Sequence, residues 1–178
     1  MFKFRMFKWI PAIYVCAMAL AQSPGRPATE AEIKAMDFTV LPNGAGLPKG
    51  HGDAVRGRVL YDQQCQECHG VRGEGQSGKY PALAGGTGSL NSINPQKTVG
   101  SYWPYATTLF DYIRRAMPYD HPRSLSTDDV YSVAAYVLFM NAIVTETQEL
   151  NEKTLPQVKM PNRNGFRPDS RPDIKPKP

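Results

Sequence analysis

The sequence predicts an all-α fold with irregular extensions at both ends, and three observations predict it. Cys65-Gln66-Glu67-Cys68-His69 is a C-x-x-C-H motif, which marks a covalent anchoring point. Apolar residues recur at helical spacing before this motif, between 107 and 116, and between 126 and 143. Sixteen prolines and fifteen glycines fill the intervening stretches with turn chemistry rather than with alternating strand patterns. A length of 178 residues suits one ordinary domain with extensions rather than two.

The C-x-x-C-H motif is the attachment signal of a c-type haem. Two thiols at that spacing add to the two vinyl groups on one porphyrin edge, and His69 then projects an imidazole at the iron. Two other chemistries use C-x-x-C. A thiol redox pair needs a thioredoxin-like strand-then-helix context, and none is visible. A structural zinc site needs about four Cys or His ligands. Beyond the first twenty residues there are only Cys65, Cys68, His51, His69 and His121, a poor supply for it.

The N-terminus reads as a signal peptide over residues 1–21. Lys3, Arg5 and Lys8 precede a short apolar run from Trp9 to Ala21, which ends in Ala19-Leu20-Ala21. That run is shorter than the roughly 20 residues a spanning helix needs, so no stable membrane span is expected after cleavage. Cys16 lies inside the run, away from any lipidation-type site. The expected destination is the periplasm. Residues 22–150 carry 11 basic and 13 acidic side chains, whereas 151–178 carry seven and three. No folded element bears a basic stripe, which argues against a nucleic-acid partner. With both mature cysteines used by haem, no structural disulfide is expected.

Taken in order, residues 22–50 read as an arm or linker, with helical turns within 31–36 and turn chemistry from Pro42 to Pro48. The domain proper is expected over 51–147. Asp53 offers an N-cap for its first helix. Val55, Val59, Leu60 and Gln63 lie on or near one face of that helix, outside of which are Arg56 and Arg58. Gly57 and Tyr61, four apart, stack together, and the glycine admits a second helix closely. The glycine-rich loop 70–78 lacks the Gly-Lys-Ser/Thr ending of a phosphate loop. A proximal histidine usually donates its other ring N–H to a carbonyl, and Pro81 is the candidate acceptor. Leu83 is expected beside the haem. Trp103 and its neighbouring tyrosines offer apolar faces to the porphyrin, or to an ordinary core.

Thr107 or Thr108 caps a second helix, which stops at Met117-Pro118. A methionine leaving a helix there is well placed to be the sixth iron ligand, and Met with His raises the reduction potential. Met117 follows His69 by 48 residues, room for a loop and a helix to wrap one haem. Met160, also followed by proline, competes with it. Met36 lies in the arm, Met140 in an apolar helical run, and His121 beside Pro122. Ser126 caps the last helix, with Asp128 and Asp129 in its first turn. Ala134, Ala135 and Tyr136 form a surface suited to crossing at Gly57 and Tyr61. Residues 148–178 form a basic, Pro-rich tail, read either as solvated, as docking to a partner, or as wrapping along the domain.

Residues 57–144 resemble a class I cytochrome c through Gly57/Tyr61, CQECHG, Pro81, Met117-Pro118 and Tyr136. More narrowly, LAGGTGSL, the stretch from QKTVGSYWPYATTLFDYIRRAMP to NAIV, and LPQVKMPNRNGF resemble the haem subunit of bacterial sulfite dehydrogenases. They are also similar to the haem part of the periplasmic sulfur dehydrogenase, which carries two haem motifs where this chain has one. The resemblance implies Cys65 and Cys68 as thioether anchors and His69 and Met117 as iron ligands. It also implies a molybdenum-cofactor sulfite-oxidising subunit as electron donor and a soluble cytochrome c as acceptor. On that reading the chain is no enzyme on its own. The competing expectations are a free carrier to a terminal oxidase, and a haem peroxidase or gas-binding protein, which would need Met117 off the iron.

Overall fold

The structure is a computed structural model that describes residues 25–169 and 171. The expected signal peptide, and Pro172, Pro176 and Pro178 of the tail, lie outside the described residues. The chain divides into two compact units between Asp37 and Phe38.

In the first unit, α1 (Glu30–Met36) opens on a capping box. The Glu32 carboxylate accepts from the Thr29 backbone N–H at 2.8 Å, and the Thr29 hydroxyl accepts from the Glu32 N–H. The Arg26 guanidinium and then the Thr29 N–H hold the Glu32 carboxyl down to about 2. No residue of α1 is buried.

The second unit is helical. It comprises α2 (Ala54–Gln64), the single turn α3 (Gln66–His69), α4 (Ala106–Ala116) and α5 (Thr127–Met140). A two-residue antiparallel ladder joins β1 (His51–Gly52) to β2 (Leu150–Asn151), pairing His51 with Asn151. Among the described residues no helix is long and apolar enough to cross a membrane.

Helix α5 is the centre of the unit. Every residue from Val130 to Leu138 is buried, so this helix is enclosed all round rather than on one stripe. Ser126 caps it by accepting from the Asp129 N–H at 3.2 Å. Helix α2 crosses α5 at Gly57, where a Cβ would run into the Ser132 carbonyl and the Tyr136 side chain. Tyr61 meets Tyr136 edge-on, with ring centroids 5.2 Å apart. The buried stripe of α2 is therefore Ala54, Gly57 and Tyr61, while Val55 and Val59 stay exposed. The valines do not mark the packing face because the smallest residue sets the line of closest approach.

Helix α4 begins two or three residues earlier than a cap at Thr107 or Thr108 would place it. Tyr105 is its N-cap without a side-chain bond, and Thr107 is buried inside the helix, its hydroxyl 3.5 Å from the Pro42 carbonyl. Both flanks join the core. Val40 is buried, and the Tyr131 hydroxyl donates to the Pro48 carbonyl at 2.9 Å. Leu150, Leu155, Val158 and Met160 are buried as well, so residues 150–160 wrap along the helices. Beyond them, the Asn162 amide donates to the Tyr102 carbonyl at 2.7 Å, and Phe166 meets Tyr102 edge-on.

Candidate haem-attachment site

Cys65 is the hinge between α2 and α3. Its N–H closes α2 on the Tyr61 carbonyl at 2.9 Å. Its own carbonyl accepts from Cys68 at 3.2 Å and from His69 at 2.9 Å. Both thiols and the imidazole therefore leave the chain from one turn, the arrangement that the C-x-x-C-H spacing requires. Gly70 ends the turn with φ of +79°, where an L side chain is disfavoured. The Tyr61 hydroxyl donates to the Gly70 carbonyl at 2.8 Å, and the Glu74 carboxylate accepts from the Arg72 N–H at 2.7 Å.

His69 Nδ1 lies 3.1 Å from the Pro81 carbonyl oxygen. A carbonyl only accepts, so Nδ1 carries the proton and Nε2 keeps its lone pair for a metal. The carbonyl is held in turn. Gln76 N–H donates to Tyr80 O at 2.9 Å, and Leu83 and Ala84 N–H donate to Gly73 O at 2.7 and 3.0 Å.

Cys65 and Cys68 are both half-buried. Burial, and then Cys68, push the Cys65 thiol up to about 11. A thioredoxin-type pair shows the opposite shift, because the nucleophile there is a stabilised thiolate. Among the described residues no three His, Cys, Asp or Glu side chains group to hold a metal ion.

Met117 is the C-cap of α4, its N–H donating to the Ile113 carbonyl at 3.0 Å, and the Met117–Pro118 bond is cis. It is half-buried against the core, as are Leu83 and Trp103. Trp103 sets its ring edge-on to Tyr112 at 5.7 Å. Met160, its competitor, is 3% exposed and built into the core. Met36 is exposed in the first unit, and His121 is exposed beside Asp120 at 3.0 Å. These residues fit a haem on two counts. His69 has its tautomer fixed with Nε2 free, and half-buried apolar side chains leave surface that a porphyrin would cover.

The chain matches the cytochrome c family over residues 54–141. It is similar to the crystal structure of the sulfane dehydrogenase SoxCD from Paracoccus pantotrophus. The two are 44% identical with a TM-score of 0.76, over 82% of this chain and 71% of that one. This chain belongs to the cytochrome c family. It is a class I cytochrome c with relatives among sulfur-oxidising enzymes. It is 29% identical over 110 residues to a thiosulfate dehydrogenase of Psychrobacter arcticus, and 33% identical over 94 residues to one of Stutzerimonas stutzeri. The matched stretches span only 31% and 28% of those two proteins.

Family membership makes the prosthetic group haem c, bound covalently, with Cys65 and Cys68 as the C-x-x-C pair. Sequence reasoning named the motif and the Pro81 carbonyl. It missed the Tyr61 bond to Gly70, the Glu74 bond to Arg72, and Asn141, which reaches Leu83 and Gly85. An asparagine ending an apolar helix was the one visible signal.

Proposed function

We propose that this cytochrome is the haem subunit of a periplasmic sulfur-oxidising enzyme. It passes single electrons from a molybdenum-cofactor sulfite-oxidising subunit to a soluble cytochrome c. The kinship with the sulfane dehydrogenase over 82% of the chain carries this reading. Bound haem supplies a one-electron iron couple. Cys65 and Cys68 would anchor it, and His69 and Met117 would hold its iron. The Pro81 carbonyl makes His69 a stronger donor and fixes its ring. Leu83 and Trp103 keep water from the group. With His69 and Met117 both holding the iron, no place would be left there for substrate, and its oxidation would belong to a partner chain. Oxidation of one sulfite releases two electrons, and this chain would carry them in two passages.

The possession of one haem motif supports the sulfite-oxidising type over the two-motif sulfur dehydrogenase. The thiosulfate dehydrogenase relatives support the wider class of sulfur substrates. The test uses protein purified gently from its native periplasm, analysed for co-purifying metal, then mixed anaerobically with sulfite or with thiosulfate. Molybdenum with haem reduction by sulfite is expected. Reduction by thiosulfate alone would move the substrate assignment. Haem without molybdenum, unresponsive to both even after a candidate molybdenum subunit is added back, would make the chain a free carrier.

A further inference from the structure

The segment 80–85 carries the Pro81 carbonyl that faces His69. Its backbone bonds to Gly73 and Gln76 tie it to the glycine-rich loop that follows the histidine. The Thr98 hydroxyl holds the segment's far end, donating to the Gly85 carbonyl at 2.7 Å. Asn141 fastens the segment to α5. Its Nδ2 donates to the Leu83 carbonyl at 3.1 Å and to the Val137 carbonyl at 2.8 Å. Its Oδ1 accepts from the Gly85 N–H at 3.3 Å. Both amide hydrogens and the oxygen are used, and a flipped amide would turn its oxygen toward two carbonyls, so one orientation is fixed.

The backbone of Asn141 is fixed as well. It is the C-cap of α5, and the chain reverses behind it. Ala142 N–H donates to Phe139 O at 2.8 Å, and Ile143 N–H to Leu138 O at 3.0 Å. This is the Schellman closure, with Ala142 at φ +55° where glycine is usual. Gly100 presses against the same amide, and a Cβ there would meet Oδ1.

We propose that Asn141 is a positioning residue for the proximal histidine. It places Pro81, through Leu83 and Gly85, so that the His69 ring hydrogen bond holds its length and direction. This rests on His69 as the iron ligand. The consequence is electronic: a looser Pro81 carbonyl leaves a less basic imidazole, which favours reduced iron and raises the midpoint potential.

The experiment compares haem-loaded wild type, Asn141→Leu, Asn141→Ser and Tyr131→Phe. Leucine keeps the shape without hydrogen bonds. Serine can still bond its own helix at Val137 but falls short of Leu83. Tyr131→Phe removes a bond elsewhere on α5, to Pro48. The readouts are solvent exchange of the His69 Nδ1–H in the reduced protein and the midpoint potential. Both Asn141 variants should exchange about fivefold faster, the factor for one net hydrogen bond, with potentials raised. Tyr131→Phe should leave both unmoved. Should Asn141→Leu not fold, Asn141→Ser carries the comparison. Unchanged exchange and potential in the Asn141 variants, or equal changes in Tyr131→Phe, would overturn the proposal. The wild-type spectrum tests the underlying ligation separately: His69 ring protons without haem-induced shifts would refute it whatever the variants do.

Discussion

Between Cys65 and Gly85 the backbone is tied at short intervals. Tyr61, Gly73, Gln76 and Asn141 each hold a carbonyl or an N–H of that stretch. Among the described residues, the backbone bonds between Met117 and Leu125 run from Met117 to Ile113, from His121 to Pro118 and from Ser124 to His121. Long side chains hold this second region instead. The Arg123 guanidinium sits 4.5 Å from the Phe38 ring centroid, and Arg114 lies over the same ring. One side of the site is a hydrogen-bonded frame around the histidine. The 117–125 region is a loop leaned on an aromatic ring. Covalent attachment demands the first, because two thiols and an imidazole must hold one geometry. On the proposed reading Met117 supplies a sixth ligand from a single side chain, which needs far less, and such cation–ring contacts are worth only about 0.5–1 kcal/mol each at exposed sites.

The largest effect should come from the framed side. Replacing Cys65 and Cys68 together with Ala should abolish haem that survives denaturing extraction. Arg123→Ala on the leaned side should retain all of it, with a stability loss of about 1 kcal/mol or less by denaturant titration. Comparable haem loss in both would erase the distinction.

Next is alkaline stability. Burial above all raises the Tyr61 hydroxyl far above its ordinary value of 10, and burial takes Tyr131 to about 12. A raised folded-state value means that ionisation favours unfolding. The stability these groups contribute is complete below pH 10 and falls as pH climbs toward 12. Unfolding midpoints between pH 9 and 12 should drop steeply in wild type and less steeply in Tyr61→Phe. Identical slopes would show that the Tyr61–Gly70 tie is not what base breaks.

The smallest effects concern strain. Ala142 and Arg123 both hold positive φ, at +55° and +67°. Ala142→Gly should stabilise by about 1 kcal/mol, the cost of a left-handed conformation. Arg123→Gly gains the same relief but loses the contact with Phe38, so its net change should stay within about 0.5 kcal/mol of zero. Thermal melting of the two variants decides this.

The two sides were unequally legible in the sequence. Cys65, Cys68 and His69 follow from bonding chemistry, and Pro81 from what a ligated histidine needs. Ser126 and Asp53 were readable caps because their partners lie three residues away. Asn141 was not readable, since its partners are 56 and 58 residues distant in sequence. The crossing at Gly57 and Tyr61 was readable from their four-residue spacing, whereas Val55 and Val59, grouped on one face, are exposed. The burial of Leu155 and Met160 was hidden because a wrapping segment with prolines has no periodicity to read.

The most direct test of a relay with both axial positions closed is carbon monoxide binding by the reduced cytochrome, wild type against Met117→Ala. The account predicts that wild type takes up none and that the variant takes up one per haem, with altered spectra in both oxidation states. Uptake by wild type, or a Met117→Ala spectrum identical to wild type while Met160→Leu changes it, would contradict the account.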